Sequence, residues 1–215
     1  MAFRKYNTCF FERYAALCLN TMLGHKFDAL VNRDRPDLQS QDGKTLGIEV
    51  TRAMSGGKGG AQLLLKEMAG VHPVDREDEI ELEEIISSGY AYGLQRGRYV
   101  GTTEKAYWTL AKPLKEIIGS KVSKAMNGFY GKFDELGLFV FSQEDLSLSD
   151  VRKAAAYTMN LQKEGDIRYA RLFIADLDSL YACNLSREVS DEFRLSVYPI
   201  TTEQRKYFYL NSLDI

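Results

Sequence analysis

The apolar and polar positions along the chain switch between a helical and an extended periodicity. From Phe10 to Met22 apolar residues recur every three or four positions, which predicts an amphipathic helix that Gly24 can end. The other predicted elements are strands at 27–32, 136–141 and 169–175, a helix at 149–161 capped by Ser149, and a helical stretch from about 104 to 130 that Pro113 kinks or splits. Helices that alternate with strands predict an α/β fold with a central mixed sheet flanked by helices.

A β-hairpin is predicted between the first strand and the middle of the chain. Its centre is Asp42-Gly43, a pair that is typical of a tight turn between antiparallel strands. The segments 36–40 and 45–51 then form its two arms.

Two carboxylates lie at equivalent distances from this turn. A near-symmetric register brings Asp37 and Glu49 close to opposite each other, and two facing carboxylates repel unless a cation lies between them. A hard divalent ion such as Mg²⁺ or Mn²⁺ suits this position, with the carbonyl of Val50 as a third ligand. The alternative is that one or both acids point to solvent on an exposed hairpin.

Length and composition predict one globular domain over residues 1–215. The chain is 45% hydrophobic and 27% charged, which is enough apolar material for a core. A glycine-rich, helical stretch at 52–103 is interpreted as an insertion within this domain. The three cysteines have no metal-ligand spacing, and no signal peptide or membrane-spanning run is recognisable, so we expect a cytoplasmic protein without a membrane partner.

The net charge of −2 conceals an uneven distribution along the chain. Residues 75–84 hold seven acids and one base, whereas residues 95–132 hold eight bases and two acids. The second segment can present a basic face to a polyanion such as a nucleic acid, although a solvated pair of helices explains the charges as well.

Aromatic and basic residues are interleaved next to the basic segment. Arg96 and Arg98 lie among tyrosines and glycines, a composition that suits contacts with bases and phosphates. Lys58 lies in a glycine-rich loop that lacks the spacing of a phosphate-binding loop, which disfavours a nucleotide-binding enzyme. These three residues are candidate nucleic-acid contacts; tyrosines packed under an ordinary loop, and a mobile hinge, are the alternatives.

The order of these features resembles the PD-(D/E)xK nuclease superfamily, whose members are restriction-endonuclease-like. The matching features are a helix with Glu12, a strand, Pro36-Asp37, the segment Glu49-Val50-Thr51, a basic helix and another strand, over residues 8–53 and 104–142. The resemblance implies a core of helix, three strands, helix and strand. It also implies a metal-dependent nuclease that hydrolyses phosphodiester bonds of DNA or RNA, with DNA favoured.

The resemblance assigns a role to each acid. Asp37 and Glu49 match the metal ligands of the family, Mg²⁺ or Mn²⁺ would be the cofactor, and Glu12 matches the helix glutamate that often completes the site. The metal would activate the attacking water and neutralise charge in the transition state.

The motif lysine is the main departure from the family pattern. Thr51 occupies its position, and some members supply the lysine from the following helix, which corresponds here to Lys121 or Lys124. Lys121 is favoured because it lies farther from the end of that helix, and Lys58 is a third candidate. The missing lysine keeps open an alternative, a nuclease-like module that binds nucleic acid or has a structural role without cutting. A homodimer is also left open.

Overall fold

The computed structural model describes residues 10–52, 114–142, 146–176, 178–186 and 194–212. The helices in this part of the chain are α1 (Phe10–Leu23), a short 3₁₀ helix (His25–Phe27), α2 (Leu114–Met126), α3 (Leu148–Leu161) and α4 (Thr202–Ser212). The strands are β1 (Val31–Asn32), β2 (Leu38–Gln39), β3 (Leu46–Arg52), β4 (Glu135–Phe141), β5 (Arg171–Ala175), β6 (Ser179–Asn184) and β7 (Leu195–Pro199). The insertion predicted at 52–103 lies outside the described residues except for Arg52, which ends β3.

The strands form one mixed sheet in the order in which they occur in the chain. β1, β2 and β3 are antiparallel neighbours, β3, β4 and β5 are parallel, and β5, β6 and β7 are antiparallel again. The two parallel connections pass through helices, α2 between β3 and β4 and α3 between β4 and β5. The predicted α/β class with a central mixed sheet is therefore confirmed.

Helices cover both faces of this sheet. On one face α1 and α4 pack together, and Phe11, Tyr14 and Phe208 join the core formed with Ile48 and Phe141. On the other face α2 and α3 pack on the alternate residues of the same strands, and this core contains the residues Ile118, Val122, Val151, Leu138, Val140 and Ile174. The buried strands are apolar on both faces because each face meets a helical layer.

The predicted hairpin is present, with a shorter first arm than expected and a second arm of the expected length, shifted by one residue. Gly43 has a φ of +65° in the turn, and Asp42 accepts hydrogen bonds from the backbone N–H groups of Lys44 and Thr45. Only Leu38–Gln39 of the first arm is a strand, paired antiparallel with the start of β3. The Asp-Gly pair identifies the hairpin because glycine adopts a positive φ without strain.

Three local predictions need correction. The run 27–32 is a strand only at Val31–Asn32, and a 3₁₀ helix occupies His25–Phe27 instead of an extended segment. α3 is capped by Ser147 rather than Ser149, and Asp150 completes a reciprocal capping box with Ser147. The strand expected at 169–175 begins at Arg171.

Among the described residues, no helix is long and apolar enough to cross a membrane.

Candidate active site

A polar pocket of about 140 Å³ opens where β3 extends beyond the paired part of β2. It lies at the carboxyl end of β3, so both helical layers can contribute to it. Its lining residues are Phe11, Glu12, Asp37, Glu49, Val50, Thr51 and Lys121. The described structure thus brings together four of the five predicted catalytic residues.

The backbone on either side of Asp37 fixes this carboxylate at the mouth of the pocket. Leu38 pairs with Ile48, so the next position along the ladder places Asp37 beside Glu49. The Oδ2 atom of Asp37 accepts a hydrogen bond of 2.8 Å from the backbone N–H of Val50. The Asp37 carbonyl accepts another, of 2.9 Å, from the N–H of Arg33, which closes the loop before β2.

Two buried contacts hold the loop that leads into Asp37. Gln39 donates a hydrogen bond from Nε2 to the carbonyl of Pro36 at 3.0 Å. Gly47 lies under the Pro36 ring, and a Cβ atom at this glycine would lie 2.7 Å from Pro36 Cγ and 3.0 Å from the Phe133 ring. Glycine at position 47 therefore permits the close approach that sets the position of Pro36 and Asp37.

Glu49 forms an ion pair with Lys121 across the pocket. Successive residues of β3 face opposite sides of the sheet, and Ile48 and Val50 belong to the core under α1. Glu49 therefore faces α2, where the Nζ atom of Lys121 lies 2.5 Å from its Oε1 atom. The two side chains are 9% and 18% exposed, so water screens this pair weakly.

Glu12 reaches the pocket from the helix on the opposite face of the sheet. It lies in the first turn of α1, and its carboxylate accepts a hydrogen bond from the side-chain amide of Asn32 in β1. Of the described residues that line the pocket, three are acids and one, Lys121, is a base. The described part of the pocket lining consequently carries more negative than positive side chains.

The surroundings of Asp37 change its protonation. Burial, and after it the neighbouring Glu49 carboxylate, raise the pKa of Asp37 from 3.8 to about 7. The hydrogen bond from Val50 lowers this pKa and the charge of Glu12 raises it further, with Lys121 as a smaller opposing influence. Acids that destabilise each other's charge in this way favour the binding of a cation between them.

Two tyrosines near the pocket were not among the candidates from the sequence. Tyr130 is buried, and among the described residues its hydroxyl has no hydrogen-bond partner. Burial and the nearby Glu49 carboxylate raise the pKa of Tyr130. The Tyr169 hydroxyl donates to the backbone carbonyl of Lys121 at 3.3 Å. No local motif marks these residues, because only the packing of α2 on the sheet brings them to the site.

The remaining candidates lie elsewhere. Lys124 is exposed, and its Nζ atom lies 5.3 Å from the centre of the Phe129 ring rather than in the pocket. Thr51 lines the pocket at the position of the expected motif lysine. Lys58, Arg96 and Arg98 lie outside the described residues.

The donor set is suitable for a small hard cation. Within the described residues no three His, Cys, Asp or Glu side chains are grouped as metal ligands, so the fit depends on Asp37, Glu49 and one backbone group. A strand residue directs its N–H and its C=O to the same neighbour. The Val50 carbonyl therefore faces the side on which the Val50 N–H meets Asp37. Mg²⁺ commonly uses one or two protein carboxylates and completes its coordination with water and substrate phosphate.

Comparison with known proteins adds no relative. No family model matches the chain, and no curated protein or solved structure matches it either. The residues of the pocket themselves indicate its chemistry. They provide paired carboxylates that suit a divalent cation and an ammonium group that suits a negatively charged substrate.

Proposed function

We propose that the protein is a metal-dependent nuclease that hydrolyses phosphodiester bonds in nucleic acid, with DNA favoured over RNA. The observation that carries this proposal is the Lys121–Glu49 pair of 2.5 Å in a pocket that also contains Asp37 and Glu12. A lysine from α2 in this position can replace the motif lysine, whose position in the sequence is occupied by Thr51. The order of α1, three strands, α2 and β4 supports a restriction-endonuclease-like core.

Each residue has a role that follows from its charge and position. Asp37 and Glu49, with the Val50 carbonyl, would hold Mg²⁺ or Mn²⁺, which when bound activates water and offsets the charge of the phosphate. Lys121 would transfer its interaction from Glu49 to the non-bridging phosphate oxygens, where negative charge increases as water attacks phosphorus and the bond to the leaving sugar oxygen breaks. Glu12 adds negative charge that keeps a cation in the pocket.

A cleavage assay tests the proposal. Labelled single-stranded DNA, double-stranded DNA and RNA are incubated with the protein in Mg²⁺, in Mn²⁺ and in a chelator. We expect metal-dependent cleavage that Asp37→Asn and Glu49→Gln reduce to background without unfolding, as judged by circular dichroism. Glu164→Gln, at an exposed acid in the turn after α3, is the matched control and should cleave as the wild type does. Full activity in either pocket variant would exclude the assigned site.

The alternative function is a nuclease-like module that binds nucleic acid without cutting it. It is favoured by Thr51, which lines the pocket at the position of the motif lysine. The same assay separates the two functions when binding is measured in parallel by fluorescence anisotropy. Binding with no cleavage in either metal supports the module, whereas metal-dependent cleavage excludes it.

A further inference from the structure

An exposed aromatic ring lies immediately beyond the carboxyl end of α2. Phe129 is 45% exposed, and its ring meets the buried Tyr130 ring edge-on, with the ring centres 5.3 Å apart. Isolated exposed hydrophobic residues are common on protein surfaces, so exposure alone indicates no function. Phe129 differs from such residues because two cationic side chains lie over its ring.

Two cations from different parts of the chain meet this ring. The guanidinium carbon of Arg35 lies 4.9 Å from the ring centre and the ammonium of Lys124 lies 5.3 Å from it. Both side chains are exposed, and Arg35 also contacts the exposed carboxylate of Asp34 at 3.4 Å. An exposed ion pair of this kind contributes little energy, so Arg35 remains available to an anionic ligand, and Lys124 is exposed beside it. We call Arg35, Lys124 and Phe129 the aromatic–cationic patch.

The patch is attached to the elements that supply the pocket. Arg35 precedes Asp37 by two residues, and Lys124 follows Lys121 by three, which is about 4.5 Å along a helix axis. Arg35 has a φ of 63°, a conformation that non-glycine residues seldom adopt. A nucleic acid that binds with one phosphate in the pocket therefore has an adjacent nucleotide near the patch.

We propose that the patch binds a single strand of nucleic acid, with an unpaired base stacked on Phe129 and the neighbouring phosphates contacted by Arg35 and Lys124. This inference rests on the proposed function and specifies its substrate as a strand that is unpaired next to the cut. Bases stack on aromatic side chains without sequence preference. Arg35 and Lys124 lie over the ring of Phe129, and a base that takes the place of one of them on the ring face would leave that cation to contact a flanking phosphate. In a duplex the base faces are covered by their neighbours, so the ring would have no partner.

Binding of a labelled oligothymidylate tests the inference without involving cleavage. Fluorescence anisotropy is measured in a chelator, with the intact protein, for the single strand and for a duplex of the same length. Stacking on an aromatic residue contributes about 1–3 kcal/mol per base, so Phe129→Ala should weaken single-strand binding by roughly 5- to 150-fold. Phe129→Trp should restore it. The duplex affinity should change by less than about 2-fold, since stacking is not available there.

Tyr207→Ala is the matched control. Tyr207 is 49% exposed on α4, which packs on the opposite face of the sheet from α2, so this variant should bind the single strand as the wild type does. Lys124→Gln should reduce the slope of log affinity against log salt concentration by about 0.7, the value for one phosphate contact on a single strand. Phe129→Ala should leave this slope unchanged, because the ring carries no charge.

The outcomes distinguish the patch from the proposed function. Single-strand affinity within about 2-fold of the wild type in Phe129→Ala, or an equal loss for single strand and duplex, would overturn the stacking role. If Phe129→Ala weakens binding while the wild type cleaves nothing in Mg²⁺ or Mn²⁺, the patch stands and the nuclease proposal fails. If cleavage requires Asp37 but binding is independent of Phe129, the nuclease proposal stands and the patch fails.

Discussion

Two clusters of charged residues lie at opposite ends of the β3–β4 pair and differ in the balance of their charges. Glu135 begins β4, next to Leu46 at the start of β3, and accepts hydrogen bonds from both Lys26 and Arg171. Burial raises the pKa of Glu135, but the hydrogen bonds from these two cations outweigh it and hold this pKa below its ordinary value. Here one acid has two cationic partners, which is typical of a structural contact.

The pocket at the carboxyl end of β3 has the reverse balance. Among the described residues that line it, the three acids Glu12, Asp37 and Glu49 accompany one base, Lys121, and the pKa of Asp37 rises to about 7. Burial and the neighbouring carboxylates raise the pKa of Asp37. In the proposed function, a divalent cation would supply positive charge at this place.

The largest expected effect concerns the lysine of the pocket. Lys121→Met should lower the rate of metal-dependent cleavage by roughly 10²-fold, the scale for removing one preorganised positive charge from a developing oxyanion. The rate is measured at saturating substrate, so that a change in binding does not contribute.

Lys153→Met provides the control for this substitution. Lys153 is an exposed lysine on α3 whose neighbour is Asp150, and its replacement should leave the rate unchanged. A Lys121→Met enzyme that retains at least about a third of the wild-type rate would remove the lysine from the mechanism.

A smaller effect is expected at the cluster around Glu135. Glu135→Gln leaves Lys26 and Arg171 without their carboxylate and should lower the free energy of unfolding by about 1–2 kcal/mol. This loss is smaller than for a fully buried cluster, because water screens the partly exposed ion pairs. Urea denaturation at pH 7 measures this loss, and cleavage at a temperature where the variant is folded should be normal. An unchanged free energy of unfolding would contradict the contrast between the two clusters.

The smallest effect is a gain in stability at the pocket. Because the pKa of Asp37 is about 7 in the folded protein and 3.8 ordinarily, the folded state binds the additional proton between these values, and its stability falls as the pH rises through this window. Asp37→Asn keeps an acceptor for the Val50 N–H and removes the charge. At pH 8 it should raise the free energy of unfolding by at least about 1 kcal/mol.

This gain should depend on pH in a defined direction. The difference between Asp37→Asn and the wild type should be near zero below about pH 4 and reach its full value above about pH 7. Urea denaturation in the absence of metal at several pH values gives the profile. A variant that is less stable than the wild type at pH 8 would mean that the Asp37 charge is well compensated in the fold.

The hairpin and its two acids could be predicted from the sequence because local chemistry determines them. Asp42-Gly43 sets the turn, and the turn sets the register that brings Asp37 beside Glu49. The cap of α3 was misplaced by two residues because both Ser147 and Ser149 are suitable caps, and the reciprocal contact with Asp150 decides between them. Strand β6 was missed because its sequence, SLYACN, does not alternate regularly between apolar and polar residues.

The rest of the site depends on packing that no local pattern encodes. Lys121 and Lys124 point about 60° apart on a helix, and only the docking of α2 on the sheet determines which of them meets Glu49. Tyr130 follows the same helix and comes near Glu49 through that docking. The close contact of Gly47 with Pro36 is likewise visible only in the fold.

Binding of Mn²⁺ tests the central claim, that the unbalanced carboxylates form a cation site. Isothermal titration calorimetry on the intact protein without nucleic acid should detect one Mn²⁺ per chain at pH 7.5. Glu135→Gln should bind Mn²⁺ with the wild-type affinity, and Asp37→Asn should bind it at least about 10-fold more weakly, since each carboxylate ligand contributes charge to a site of this kind. Absence of Mn²⁺ binding by the wild type, or equal affinity in Asp37→Asn, would contradict the account.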